Sequence, residues 1–393
     1  PLRCLANPKA PVTSRGPEVF DELGVALATQ TVIAPPSRAG MFIVMTAREG
    51  SEQDILNFLS NFSSLNRAVG FRVDDRLDAI VGIGSKLWDR LFPGLPRPKH
   101  LREFEGINGP KHVAPATPGD ILIHLRAPHI DICFEMAHQI SMALEGQIDY
   151  QFELHAFKFF DERDLLGFVD GSQNPEGQDA TSAVLIEESD DPNYAGGSYV
   201  VVQKYLHDMS AWNSLSVEEQ EKVIGRTKLD DIQLDDLPVN SHVNANTIVL
   251  PDGTQREIYR ENMPFGNVSE KEFGTFYIAY SNDPAVQEIM LHRMFIGDPP
   301  GNTDRILDFS TAVTGSMFFV PTVDFLNNTP GVPASPTVTN AQMEQFERAW
   351  ENTAAPTSPV GVSEKPTKAP KTPPSPSKPG DLGIGSLRGK PSF

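Results

Sequence analysis

The feature that most constrains the fold of this chain is an order of strands and helices that occurs twice before Thr329. Alternating and helically spaced apolar residues predict both halves. The first half is predicted as strand 41–47, helix 51–66, strand 78–82, strand 120–127, helix 128–144 and strand 149–160. The second half is predicted as strand 198–206, helix 216–225, strand 273–280, helix 284–295 and strand 316–321, one strand fewer than the first.

The order strand-helix-strand-strand-helix-strand is that of a split βαβ, or ferredoxin-like, unit. We therefore predict an α+β protein of tandem ferredoxin-like repeats, in which antiparallel sheets pack together and the helices lie outside. A ligand pocket is expected between the two sheets or within the second half. Ser51 with Asp54, and Ser216 with Glu219, have the spacing of capping boxes at the starts of two helices.

Charge and composition exclude several classes of protein. The 393 residues are enough for two domain-sized cores. The chain has 52 acidic and 33 basic residues, and its net charge of −19 argues against nucleic-acid binding and against docking on anionic lipid. It has no run of 18 apolar residues, so we predict no membrane span. Its first residues lack a signal-peptide pattern, and we expect a cytoplasmic protein. Two cysteines cannot build a disulfide framework, and neither CxxC nor HExxH occurs.

The composition changes near Thr329, where Pro, Thr, Ser, Ala and Lys become frequent. Such a segment buries too little apolar surface to offset the entropy of ordering it. The predicted organisation is an N-terminal extension at 1–31, a first half at 32–160, a second half at 161–328, a disordered Pro-rich linker at 329–380, and a terminal segment at 381–393 that regains Leu and Ile among glycines.

Among nine histidines, His242 has the most distinctive context. It lies in a polar loop that follows Pro238, and the charged cluster REIYRENMPFG (256–266) comes soon after it. A loop histidine held by a rigid scaffold could be a metal or haem ligand. From the residues alone, a satisfied surface histidine remains the alternative.

Two further motifs could contribute to a site. Asp170 lies between Gly167 and Gly171, and these glycines would let the backbone approach a flat cofactor and present one carboxylate to it. A plain Asp-Gly turn is the alternative. Arg260 and Asn262 are two residues apart, so an extended strand would place a cation and an amide on one face. A solvated strand edge is the alternative there.

Together these motifs resemble the dye-decolourising peroxidases, and most of all their bacterial B-type branch. The resemblance covers nearly all of 32–325. It rests on the order and spacing of GFVDG (167–171), IGRTK (224–228), SHVNANTI (241–248), REIYRENMPFG (256–266), GTFYIAY (274–280) and DRILDFSTAVTGSMFFVP (304–321). That family has a tandem ferredoxin-like fold, the dimeric α+β barrel, and one haem b per chain. This agrees with the repeat predicted above and places the haem between the halves or within the second.

The resemblance implies a role for each candidate residue. His242 would be the proximal iron ligand and Asp304 would accept its imidazole N–H, with Asp308 as a less favoured choice. Asp170, next to Gly171 in the cofactor-contacting turn, would be the distal carboxylate. Arg260 would be the distal arginine, with Asn262 beside it. Arg226 would be a partner for a haem propionate. Gln173 stands where the family pattern leads us to expect Glu.

The implied function is reduction of hydrogen peroxide through a ferryl porphyrin-radical species, with oxidation of dyes, phenols or other one-electron donors. Haem storage, or iron release from porphyrin without peroxidase turnover, is the alternative, and it would need His242 but not Arg260. A third possibility is a protein without haem that shares the fold only.

The terminal segment DLGIGSLRG (381–389) resembles the cargo-loading peptide that docks enzymes inside encapsulin nanocompartments. Leu382, Ile384 and Leu387 alternate with small residues and could fill pockets on the inner wall of a shell, and Arg388 could pair with an acid there. The resemblance therefore implies an encapsulin shell protein as partner through 381–393, a location inside the shell, and a homo-oligomer.

Overall fold

The structure, a computed structural model, describes residues 19–20, 26–71, 76–249, 253 and 255–332. Most of the predicted N-terminal extension, almost all of the Pro-rich linker and the whole segment 381–393 lie outside the described residues. Within the described part, no helix is both long enough and apolar enough to cross a membrane.

The first half contains the complete predicted pattern. After the short pair β1 (Val19–Phe20) and β2 (Ala26–Leu27), it runs β3 (Ala39–Ala47), α1 (Glu52–Gly70), β4 (Asp78–Ile83), α2 (Ser85–Leu91), β5 (Ile107–Asn108), β6 (Val113–Ala114), β7 (Ile121–Ala127), α3 (Ile130–Ala143) and β8 (Ile148–Phe157). Helix α1 buries one face because its apolar residues recur three and four positions apart, as Ile55, Phe58, Leu59 and Phe62 show.

The second half has more and shorter elements. It runs α4 (Gly177–Val184), β9 (Ser198–His207), α5 (Met209–Asn213), α6 (Val217–Ile224), α7 (His242–Asn246), β10 (Ile248–Val249), β11 (Gln255–Arg256), β12 (Tyr259–Arg260), β13 (Met263–Asn267), β14 (Glu272–Ser281), α8 (Ala285–Phe295), a 3-10 helix (Arg305–Asp308), β15 (Ser310–Ala312), β16 (Ser316–Val320) and α9 (Val323–Asn327). The strand absent from the prediction is supplied by β12 and β13, which both pair with β14.

Both halves have the strand order of a ferredoxin-like unit, which confirms the predicted fold class. The first is ordered β8-β3-β7-β4, and the second is ordered β16-β9-β14 with β12 and β13 beyond. Every strand pair of the described residues is antiparallel. A single pair, Phe319 opposite Ile83, joins the halves into one ten-stranded sheet. The two inner faces also pack together, and the ring centroids of Phe42 and Phe276 are 4.2 Å apart.

One of the two predicted capping interactions forms. The Ser216 hydroxyl accepts the Glu219 N–H at 3.3 Å at the start of α6. Ser51 makes no such bond, because its backbone (φ −88°, ψ 2°) lacks the extended conformation that aims an N-cap side chain at the first turn. Its hydroxyl donates instead to the carbonyl of Arg48 at 2.6 Å, so the prediction at Ser51 was wrong.

Candidate active site

A large pocket opens on the outer face of the second-half sheet. It encloses about 1440 Å³ of space, including its open mouth. Its described lining lies between Asp164 and Ser310, so the first half contributes no wall residue. Side chains of β9 and β14 alternate between the two faces of the sheet, and those facing the pocket are Tyr205, His207, Thr275 and Tyr277. Of the two placements expected from sequence, the pocket lies within the second half.

His242 is the first residue of α7 and lines this pocket. The Ser241 hydroxyl accepts the Asn244 N–H at 3.4 Å and so fixes the start of that short helix. His242 Nδ1 lies 2.7 Å from Asp304 Oδ2, a carboxylate with no exposed surface. Among the residues that the structure describes, none forms a hydrogen bond with His242 Nε2. The ring is therefore oriented by one nitrogen, and the other is free to bind a ligand.

Of the two acidic residues considered for contact with His242, only Asp304 reaches it. Asp304 caps the 3-10 helix, and its second oxygen accepts the Ile306 N–H at 3.0 Å. Asp308 instead pairs with Lys111 and lies 3.1 Å from His112 Nε2.

Asp170 lies in a tight turn whose glycines have backbone angles that other residues rarely adopt. Gly167 has φ +95° and Gly171 has φ +79°. A Cβ atom on Gly167 would lie 2.6 Å from the side chain of Lys228. The turn predicted from sequence is therefore present, and it also presents Asp170 to the pocket.

Arg260 and Asn262 both line the pocket, as the extended-strand interpretation predicted. The Asn262 side-chain nitrogen donates to Asp170 Oδ1 at 3.4 Å, and the Asn262 side-chain oxygen accepts the Ile278 N–H at 3.1 Å. We call Asp170, Arg260 and Asn262 the acid–arginine wall. It combines a carboxylate, a cation and an amide in the same pocket as His242.

Asn174 holds this wall together, and sequence reasoning missed it. Its amide nitrogen donates to the Arg260 carbonyl at 2.7 Å, and its amide oxygen accepts the Arg260 N–H at 3.0 Å. The residue comes four positions after Asp170, so a single side chain links the turn to the strand. A polar amide directly after a glycine-rich turn was the only signal in the sequence.

Other titratable pocket residues were also missed. His207 has both ring nitrogens occupied, by Ser310 at 2.8 Å and Thr275 at 2.9 Å, and burial lowers its pKa to about 4. Burial raises the pKa of Asp164 to about 7, with a smaller contribution from the charge of Asp170. Burial also raises the pKa of Tyr277.

Arg226 lines the pocket but is already paired. Its Nε lies 2.6 Å from Asp231 Oδ1, and the side chain is largely buried. The pairing holds the guanidinium at the pocket wall. Gln173 also lines the pocket, so an amide stands where the resemblance led us to expect a carboxylate.

A carboxylate-bonded imidazole that shares one pocket with an arginine and an aspartate has the chemical groups of a peroxidase site. Comparison with known families agrees. The model described as Dyp-type peroxidase, N-terminal, matches residues 29–158, and the model described as Dyp-type peroxidase, C-terminal, matches residues 161–325. The chain belongs to the Dyp-type peroxidase family.

Individual relatives resemble most of the chain. A dye-decolorizing peroxidase from Mycobacterium tuberculosis is 53% identical over 80% of this chain and 95% of that protein. DyPB from Rhodococcus jostii is 51% identical, with a TM-score of 0.74 over 76% of this chain and 97% of that one, and variants of it are described in complex with heme. The encapsulated DyP-type peroxidase from Mycobacterium smegmatis is 57% identical, with a TM-score of 0.76 over 78% of this chain and all of that one.

Proposed function

We propose that this protein is a haem b peroxidase that reduces hydrogen peroxide and oxidises dyes, phenols and other one-electron donors. One observation supports this most directly: the pocket combines the His242–Asp304 pair with the acid–arginine wall. Haem storage or iron release would need the histidine but would not require the arginine.

The residues of the pocket fit a haem group. His242 offers Nε2 with its other nitrogen fixed by a carboxylate, which is the arrangement of a metal-binding imidazole. Apolar side chains could contact the flat ring, among them Phe168, Ile258 and Leu291. Arg226 could bind a propionate, since its pairing with Asp231 already holds it at the wall. When bound, haem supplies the iron that takes up peroxide and the electrons that cleave its O–O bond.

The acid–arginine wall would handle protons and charge. Asp170 would take the proton from one peroxide oxygen and return it to the other, which leaves as water. Arg260 would stabilise the negative charge that develops on the leaving oxygen. Asn262 would keep the Asp170 carboxylate in place through the 3.4 Å contact.

Asp304 would act through His242, whose Nδ1 lies 2.7 Å from its carboxylate. A carboxylate that accepts the imidazole N–H gives the imidazole more anionic character, which favours O–O cleavage. The buried position of Asp304 strengthens this effect, because water does not screen it.

Visible spectra of the haem-loaded protein, taken before and after one equivalent of peroxide, test the proposal. We expect a Soret band that changes within milliseconds in the wild type and about a hundredfold more slowly in Arg260→Ala. A haem spectrum that peroxide leaves unchanged or merely bleaches would favour haem handling. If the protein showed no haem spectrum, or if His242→Ala left the haem spectrum unchanged, a haem site at His242 would be contradicted.

We also propose that the protein is packaged in the cytoplasm as the homo-oligomeric cargo of an encapsulin shell. The support is the DLGIGSLRG sequence at 381–389, together with the relative from Mycobacterium smegmatis that is described as encapsulated. The Pro-rich segment at 329–380 would be the tether between body and shell. Deleting 381–393 should abolish co-purification with co-expressed shell protein without altering the haem spectrum. Unchanged co-purification would contradict this role.

A further inference from the structure

Glu261 lies between two members of the acid–arginine wall, Arg260 and Asn262, yet it points away from their pocket. Its carboxylate faces the interior between the two halves and pairs there with Arg126 of β7. Arg126 Nη1 contacts both carboxylate oxygens, and Nη2 donates to the Thr31 carbonyl. The side chains of Arg126 and Glu261 are only 2% and 11% exposed.

The segment that carries the wall leaves the regular strand ladder at this point. Strand β12 ends at Arg260, and β13 begins at Met263. Glu261 N–H still donates to the Ile278 carbonyl at 3.0 Å, but Ile278 N–H donates to the Asn262 side chain at 3.1 Å. The Asn262 side chain therefore accepts a hydrogen bond that a backbone carbonyl would accept in an ordinary strand pair.

A second cavity lies behind the same segment. Arg126 and Glu261 line it, together with Asp170, Arg260 and Asn262. Close packing is therefore incomplete beside Arg260, Glu261 and Asn262, although Met263 directly after them is buried in the core. Arg126 Nε is buried without a hydrogen-bond partner among the described residues. The ion pair thus joins the wall to the first half, next to the Tyr259 hydroxyl, which donates to the Ala34 carbonyl at 2.9 Å.

An ion pair this deeply buried is a weak source of stability, because desolvation offsets much of the attraction. Its geometry, by contrast, is restrictive: one guanidinium holds a carboxylate with Nη1 and a backbone carbonyl with Nη2. Strand alternation then transmits the position of Glu261 to its neighbours. When Glu261 is fixed towards the interior between the halves, Arg260 and Asn262 are directed towards the pocket of His242, although both also border the second cavity.

The geometry points to Arg126 as a positioning residue for the acid–arginine wall, through which the first half controls a pocket that it does not line. This role rests on the proposed peroxidase function. Arg126 and Glu261 line the second cavity and not the pocket of His242, and they determine the positions of Arg260 and Asn262.

Two variants of the full haem-loaded chain test the assignment. Arg126→Met removes the ion pair with Glu261. The double variant Arg126→Met with Glu261→Leu replaces the pair by apolar side chains, a change that usually preserves folding. In both we expect the rate constant for reaction with peroxide to fall about tenfold to a hundredfold, because small misplacements of reacting groups have effects of that size. We also expect the ferric protein to bind cyanide about tenfold more weakly, since the bound anion loses a charged hydrogen-bond donor.

Arg102→Met is the matched control. Arg102 pairs with Glu288 and also joins the two halves, but neither residue lines the pocket. We expect it to leave both the rate constant and the cyanide affinity unchanged. Wild-type values in the double variant would overturn the assignment, and this result would hold even if Arg126→Met alone failed to fold. A wild-type chain that binds haem but ignores peroxide would refute the proposed function, while the cyanide affinities would still test Arg126.

Discussion

The carboxylate of Asp304 lies 2.7 Å from His242 Nδ1, and its second oxygen accepts the Ile306 N–H at 3.0 Å. Both carboxylate oxygens are therefore occupied, and the group has no exposed surface. A buried carboxylate held at both ends cannot rotate away from the imidazole. It fixes the ring and polarises it at once.

We expect Asp304→Asn to lower the rate constant for reaction with peroxide by about tenfold to a hundredfold and to raise the iron reduction potential. An amide keeps the shape of the side chain but removes the charge that polarises His242. Spectroelectrochemical titration and stopped-flow absorbance measure the two effects. Asp308→Asn is the control, since Asp308 pairs with Lys111 and His112. Equal effects of the two substitutions would contradict a specific role for Asp304.

Removing the Asn174 side chain should loosen Arg260. Asn174→Ala deletes both hydrogen bonds that hold the Arg260 backbone, so we expect the peroxide rate constant to fall about tenfold while haem affinity changes little. Stopped-flow absorbance and haem titration separate the two quantities. Asn282→Ala is the control, because Asn282 also donates to a backbone carbonyl, that of Ser182 at 2.6 Å, but lies outside the pocket lining. If haem affinity fell as far as the rate, Asn174 would be a general structural residue.

The buried His207 side chain should make the free energy of unfolding depend on pH. Burial lowers its pKa from 6.5 to about 4, so the unfolded chain binds the proton first as the pH falls. The contribution of neutral His207 to the free energy of unfolding is complete above pH 6.5. It decreases towards pH 4, by about 3 kcal/mol in total. Urea unfolding at pH 7, 5 and 4 should show a shallower decline in His207→Gln than in the exposed-site control His155→Gln. Identical declines would contradict the prediction.

Gln30 should contribute to the junction of the two halves. Its buried amide donates to the carbonyls of Val81 and Pro321 at 3.0 and 2.8 Å, and it accepts the Val81 N–H at 2.8 Å. Gln30→Leu leaves these groups without partners, so we expect the free energy of unfolding to fall by about 3 kcal/mol. Gln151→Leu, at an exposed amide that donates to the Thr46 hydroxyl, should change it by less than about 0.5 kcal/mol. Calorimetry measures the free energy of unfolding of both variants. Equal losses in the two would contradict the prediction.

The fold was largely predictable because its long elements have clear periodicity. Strands β3, β7, β9 and β14 are runs of apolar residues bounded by turns, and all four were predicted. The missing strand was not predictable, because β12 and β13 span only two and five residues and the second contains Pro264. A strand interrupted at Glu261 has too few consecutive residues to show an alternating pattern.

The sequence by itself determined the repeat, the family and the chemical types of the site: the histidine, the glycine-flanked aspartate, and the arginine with its asparagine. Local motifs suffice for these because each spans a few neighbouring residues. Only the tertiary structure decided that Asp304 rather than Asp308 contacts His242, that Asn174 clamps Arg260, and that Arg126 reaches Glu261 across the two halves. These partners lie 62, 86 and 135 residues apart in the chain. Their contacts depend on how the sheet brings distant strands and loops together, and no local pattern in the sequence records that arrangement.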